Sequence, residues 1–174
     1  TRTAQTVDAS LAAVSVVDRE EIEALQPLTV SDILRTVPGL TVSNTGGLGQ
    51  PSAVFLRGSE SDHVLVLIDR VKVGSTTLGS TSFQYLDPAL IERIEIVRGP
   101  RSSLYGPDAI GGVIQIFTRD PAKAPRASAF ATGGTDDYSK FGARLSAGEN
   151  ATKFSIGANY EKSKGYDVCK GSNT

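Results

Sequence analysis

The segment from Ile94 to Thr118 reads Ile-Glu-Ile-Val-Arg-Gly-Pro-Arg-Ser-Ser-Leu-Tyr-Gly-Pro-Asp-Ala-Ile-Gly-Gly-Val-Ile-Gln-Ile-Phe-Thr, and it restricts the fold more than any other part of the chain. A strand stops at Arg98-Gly99-Pro100. A polar turn follows, with Tyr105 its single aromatic, and the pair Gly111-Gly112 turns into a second apolar strand from Val113 to Thr118. No nucleophile–base pair and no metal-ligand cluster lies inside it. The constraint is one of topology, and any chemistry has to come from elsewhere in the chain.

Upstream, helix and strand signals alternate. Val14 to Val17 is a short strand candidate. Asp18 offers an N-cap with an acid at the third helical position, and Ile22 and Leu25 fall on one face. Thr29 and Asp32 repeat that logic, with Val30, Ile33, Leu34 and Val37 at helical spacing and Pro38-Gly39 ending the helix. A glycine-rich loop, Asn44 to Ser52, precedes the strand Val54-Phe55-Leu56. His63 to Asp69 is a nearly continuous apolar strand of the kind covered on both faces. A second polar loop, Gly74 to Ser82, leads to Asp87-Pro88, a cap plus N1 proline opening one helical turn. With Ile91 to Val97 and Val113 to Thr118, residues 14–120 read as a small α/β domain with two long loops.

After Pro125 the pattern changes. Phe141, Ala143, Leu145 and Ala147 alternate with Lys140, Gly142, Arg144 and Ser146, and Phe154, Ile156, Ala158 and Tyr160 alternate with Ser155, Gly157, Asn159 and Glu161. Ala127, Ala129 and Ala131 fit the same phase. Strands of about nine to eleven residues with one apolar face suit a transmembrane β-barrel. A soluble meander with one face on a core explains the alternation equally well.

Composition excludes some classes. Net charge is −1, so no basic field points to nucleic acid. No run reaches the ~18 apolar residues of a spanning helix, which leaves barrel strands open. No basic-then-apolar leader begins at Thr1, so any signal peptide is expected to have been removed. Cys169 is the single cysteine; it is either a free thiol in a loop or half of a disulfide whose partner lies beyond Thr174. Asp62, His63 and Asp69 are the only candidates for an enzyme site. His63 and Asp69, six apart on a strand, would share a face about 20 Å apart, too far for a dyad.

Three segments in order carry a family likeness: Thr29-Val30-Ser31-Asp32-Ile33-Leu34-Arg35-Thr36-Val37-Pro38-Gly39-Leu40, then Phe55-Leu56-Arg57-Gly58, then Ile94 to Thr118. Together they resemble the plug domain of TonB-dependent outer-membrane receptors. The resemblance implies an α/β plug with a small mixed sheet and short helices, lodged in a barrel of about twenty-two strands in the outer membrane of a Gram-negative bacterium. Under it, residues 1–13 are an extended lead-in, 14–120 the plug, 121–125 a linker and 126–174 the first three antiparallel barrel strands. Three strands cannot close a barrel, and an open sheet leaves unsatisfied edges in lipid, so the chain is expected to be the front of a longer receptor. Energy in this family comes from the periplasmic partner TonB, which pairs with a short N-terminal segment as an added strand. No such segment precedes Val14, and it is expected upstream of Thr1.

Within the family the text is most similar to the cobalamin receptors. Asn44 to Ser52, Arg57-Gly58, His63 to Asp69, Arg98 to Ser102 and Gly165-Tyr166-Asp167-Val168 carry that likeness. Pro51, Glu60, Arg70 and the loop Ser75 to Ser80 depart from it. The implied function is TonB-dependent cobalamin transport by a monomer in outer-membrane lipid. A ferric siderophore or haem receptor is the alternative ligand class, and a soluble periplasmic interaction module the alternative of another kind. By position the resemblance implies ligand contacts at Thr45, Gln50, Pro51, Ser52, Ala53, Glu60, Leu78 and Gly79. Backbone exposed by glycine and small hydroxyls suit an amide-rich corrinoid, although glycine-rich loops are commonly plain turns. Arg57 and Arg98 resemble the plug's half of ion pairs with barrel carboxylates, a network that Arg93 and Glu95 would extend. No catalytic residue, metal site or covalent cofactor is expected in the chain; calcium in barrel loops beyond it is left open.

Overall fold

The computed structural model describes residues 13–46, 48–74, 81–120, 125–149 and 152–165. The sequence-based expectations for residues 1–12, Gly47, Leu78 and Gly79 with the rest of 75–80, residues 121–124, and Tyr166-Asp167-Val168 with Cys169 lie outside the described residues. The chain divides into two units, Thr1–Arg119 and Asp120–Thr174.

The first unit is built on a five-stranded mixed sheet in the order β1 (Val14–Val17), β6 (Ile91–Arg98), β7 (Gly112–Thr118), β4 (Val64–Ile68) and β5 (Val71–Val73). β4 and β7 run parallel; the other neighbours are antiparallel. A separate antiparallel hairpin pairs β2 (Leu40–Asn44) with β3 (Ser52–Leu56). Among the described residues three short α-helices, α1 (Arg19–Leu25), α2 (Val30–Arg35) and α3 (Ser102–Tyr105), and single 3₁₀ turns complete the unit.

The helix starts follow from capping. Asp18 accepts the Glu21 amide at 2.9 Å. Thr29 and Asp32 form a reciprocal box: the Thr29 amide donates to Asp32 Oδ2 at 2.9 Å and the Asp32 amide to Thr29 Oγ1 at 3.3 Å. α2 then drives Val30, Ile33 and Leu34 into the core with no exposed surface. α1 buries Ile22, but Leu25 stays exposed, unlike the expected shared face. The helix ends at Leu25, and Gln26 takes a left-handed φ of 45°, so Leu25 sits on the unwinding last turn.

β4 explains its own composition. Val64 and Val66 join the cluster with α2, the hairpin and Ile94, Ile96, Ile114 and Ile116. Leu65 and Leu67 join a second cluster with Val97, Ala109 and Val113 on the other face. A sheet buried on both sides requires apolar residues at consecutive positions. The strand is shorter than His63 to Asp69. His63 closes a 3₁₀ turn, and Asp69 has a φ of 47°, with its carboxylate accepting from the Thr118 amide at 2.9 Å and Thr118 Oγ1 at 2.6 Å. Those two residues stand beyond opposite ends of β4, and Asp69 is a structural clasp on the end of β7.

Gly111-Gly112 is a packing requirement. A Cβ on Gly111 would meet Ser59 Oγ at 2.3 Å, and one on Gly112 would meet Leu56 Cδ2 at 2.4 Å and Val97 O at 2.5 Å. The start of β7 is thereby pressed against both the hairpin and β6.

The second unit is a meander of β8 (Arg126–Gly133), β9 (Ser139–Glu149) and β10 (Thr152–Lys162) with β9 central. The register aligns Ala127, Leu145 and Ile156 in one row, Ala129, Ala143 and Ala158 in the next, then Ala131, Phe141 and Tyr160. That face is open: Ile156 is 71% exposed, and Phe141 and Tyr160 stack at 5.1 Å between centroids. The opposite face is polar, with Lys140 Nζ 3.7 Å from Glu161 and Arg144 Nε donating to Ser155 Oγ at 2.9 Å. Phe130 lies on it over Gly142, where a Cβ would meet the ring at 2.8 Å. Among the described residues no helix is long and apolar enough to cross a membrane, which says nothing about strands.

Candidate functional site

Strand register places Arg98 and the approach from Glu60 at one end of the five-stranded sheet. Arg98 is opposite Gly112, and Gly112 is opposite Val64, so these three share a row. Glu60 and the 3₁₀ turn Ser61–His63 lead directly into Val64, and Gly74, the foot of the second polar loop, follows Val73 at the same end. Leu56, one residue before Arg57, packs against Gly112.

The first glycine loop closes on itself. Thr45 Oγ1 donates to Pro51 O at 3.2 Å, and the Gly46 amide donates to Asn44 Oδ1 at 3.2 Å. The Gln50 side chain folds back over Gly46, where its Cγ stands 2.9 Å from the place a Cβ would occupy. Only glycine permits that approach. Thr45, Gln50 and Pro51 are left exposed at the tip. Ser52 and Ala53 turn toward Ser61 and Thr81, and these four help line a cavity of about 10 Å³. Thr81 is tethered to β5 by its hydroxyl, which donates to Val73 O at 3.2 Å. Three candidate segments therefore converge: the hairpin, the approach from Glu60, and the far foot of the loop carrying Leu78 and Gly79. The cavity admits about one water, so a bulky ligand would sit on the loop exterior. Ser52, 7% exposed, is a wall of that cavity and not a surface group. A wider cleft of about 450 Å³ lies alongside, with Asp62, His63, Thr81 and the ion-paired Lys72 and Asp108 on its lining. Among the described residues no cluster of three or more His, Cys, Asp or Glu side chains could hold a metal.

The arginines stand at the other end of the hairpin from its tip. Five strand residues, about 17 Å, separate them from the loop. Arg57 is exposed with a φ of 52°, and its amide donates to Gly39 O at 2.9 Å. Arg98 is half-buried; its Nη2 donates to Ser15 Oγ at 2.7 Å and Pro38 O at 2.9 Å. Among the described residues neither meets a carboxylate. Arg93 and Glu95 do not extend this cluster. They pair with each other at 2.9 Å, with Arg93 over the Phe117 ring, and strand alternation puts them on the opposite face of β6 from Arg98. Reading the sequence alone misses Ser15 and Pro38 as partners of Arg98, because 83 and 60 residues separate them and a serine in a valine-rich strand carries no signal. It also misses Asp69's clasp on Thr118, 49 residues away.

Residues 6–113 match the TonB-dependent receptor plug domain, and the chain belongs to that family. Its relatives include the vitamin B12 transporter BtuB of Vibrio vulnificus, 46% identical over 159 residues that span 91% of this chain and 26% of that protein. The vitamin B12 transporter BtuB of Photobacterium profundum is 44% identical over 138 residues, 79% of this chain and 23% of the relative. The chain thus spans about a quarter of the length of the curated relatives it matches. Among solved structures, the siderophore receptor PirA from Acinetobacter baumannii shares the fold with a TM-score of 0.71 at 26% identity, over 93% of this chain and 26% of that one.

Proposed function

We propose that this chain forms the plug and first barrel strands of an outer-membrane receptor that imports cobalamin with energy supplied by TonB. The observation that carries the ligand class is the 46% identity to a vitamin B12 transporter across 91% of the chain. The likeness to siderophore receptors is weaker in sequence and rests on a shared plug fold. Transport, not catalysis, is the proposed role, in keeping with relatives that are transporters and receptors.

In this reading the exposed tip, Thr45, Gln50 and Pro51, together with Ala53, Glu60, Leu78 and Gly79, meets the ligand from the extracellular side. Ser52 supports them from behind. Many weak contacts to backbone and hydroxyl groups suit a large neutral ligand rich in amides. Arg57 and Arg98 pair with carboxylates of the barrel wall. Their lack of acidic partners among the described residues supports that role, as does the cost of leaving a guanidinium without a counter-charge in an enclosed lumen. The apolar face of β8–β10 meets lipid, while its polar face looks inward.

The test is uptake. A Gram-negative host lacking its own cobalamin receptor, given the full-length gene, should accumulate labelled cyanocobalamin only when TonB is present. Accumulation equal in the presence and absence of TonB would overturn the coupling. No accumulation, alongside restored growth on a ferric siderophore, would overturn the ligand class.

A further inference from the structure

β1 is a short edge strand of the plug sheet. It has four residues, one ladder partner and one fully buried side chain, Val17. Its other residues besides Ser15 are valines, so Ser15 is the strand's only polar side chain. That hydroxyl is engaged by Arg98, whose own amide also donates to Ala13 O at 2.9 Å just before the strand. The same Nη2 donates to Pro38 O, at the corner where α2 hands the chain to the β2–β3 hairpin. Gly39 turns this corner with a φ of +78°, the left-handed region that favours glycine, and a Cβ there would stand in ordinary contact with the two arginines, 3.9 Å from Arg57 Cγ and 4.0 Å from Arg98 Nε. The Arg57 amide closes the corner by donating to Gly39 O. One guanidinium nitrogen is therefore shared between the edge strand and the root of the hairpin that carries the first candidate loop.

We infer that Arg98 is a positioning residue that couples the docking of β1 to the Pro38–Gly39 corner, so that disturbance of the hairpin root frees the edge strand. The physics is that of a short edge strand whose ladder to β6 is supplemented by one charge-assisted side-chain bond. Short edge strands with little apolar burial open at low free energy, so the loss of one such bond is felt there first. Both acceptors are met by one guanidinium nitrogen at the end of a side chain that reaches further than lysine's and fixes its N–H directions in a plane, which the ammonium of lysine does not reproduce. The inference depends only on the geometry of the first unit and is independent of which ligand the receptor imports.

Hydrogen exchange followed by mass spectrometry on the intact receptor in detergent tests it. Ser15→Ala, a mild change, should speed exchange in β1 by about tenfold and, more weakly, in residues 38–44, while leaving the β6–β7 ladder at wild-type rates. Arg98→Ala should speed both β1 and residues 38–44. Arg98→Lys, which keeps the charge that a barrel carboxylate would feel, should do nearly the same. In the double variant Ser15→Ala/Arg98→Ala, β1 should exchange no faster than in Arg98→Ala alone, because both changes remove one bond. The inference is overturned if Ser15→Ala leaves β1 unchanged, or if Arg98→Lys behaves as wild type. It is equally overturned if Arg98→Ala accelerates the plug strands with no larger effect on β1 and residues 38–44, since a tie to the barrel alone gives that pattern.

Discussion

Gly112 shows how one residue fixes a junction. A methyl group there would lie 2.4 Å from Leu56 Cδ2 and 2.5 Å from a carbonyl oxygen, and the oxygen has no rotamer to escape into. Gly112→Ala is expected to destabilise the plug by about 1–3 kcal/mol, the range for overpacking a filled site. Faster exchange in β6 and β7 of the intact receptor would show it, and unchanged exchange would contradict the packing account. Glu23 offers a titration at the same scale. Its carboxyl is held below the ordinary glutamate value by the hydrogen bond and charge of Arg19, 2.7 Å away. A depressed folded value means the contribution is present above the unfolded value and lost as pH falls through the folded one. Glu23 should thus titrate below an ordinary glutamate in an NMR experiment, and Arg19→Gln should return it to the usual range. An unchanged titration in that variant would remove Arg19 as the cause. Single residues are where the sequence is least readable. Asp18, Thr29 and Asp32 announce themselves because capping acts over three residues. Arg98's partners do not, because nothing local distinguishes a strand-end arginine that points outward from one that bridges two distant segments.

Among elements, those with strong burial are legible in the sequence and those without it are not. β4 is a continuous apolar run because both of its faces are covered, and β6 and β7 stand out by Ile94, Ile96, Val97, Val113, Ile114 and Ile116, which fill the clusters on the two faces. β2 escapes a sequence reading because only Leu40 of its five residues is buried, and β5 because it has three residues and an exposed Val71. Each is held by its ladder to a better-packed neighbour, and a tertiary contact of that kind has no periodic signature. For α2, Thr29→Ala removes one half of the capping box and should cost about 1 kcal/mol, read as faster exchange across Val30–Arg35. No change there would mean that tertiary packing alone holds the helix. For the second unit, the alternation of residues 139–149 and 152–162 is plain in the sequence, but its partner, lipid or core, is not. Ile156→Arg separates the two. In the intact receptor an arginine in the middle of a lipid-facing row should cost about 2–4 kcal/mol of folding into bilayers. Ser128→Asn, on the polar face, should be close to neutral. Equal folding of the Ile156→Arg variant and wild type into vesicles would put that face against water.

At the scale of the whole molecule, a sheet packed on both faces is joined to exposed connecting segments. The sheet is fixed by two buried faces and by glycine junctions, while the candidate contacts Thr45, Gln50, Pro51 and Glu60 sit on exposed segments that emerge from one end of it or from the hairpin. The most direct measurement is equilibrium binding of cyanocobalamin and of a ferric catecholate, side by side, to the purified full-length receptor in detergent. Cyanocobalamin binding should be saturable and weakened by Gln50→Ala and Glu60→Ala, with no binding of the catecholate. Tight binding of the ferric catecholate with no cyanocobalamin signal would contradict it.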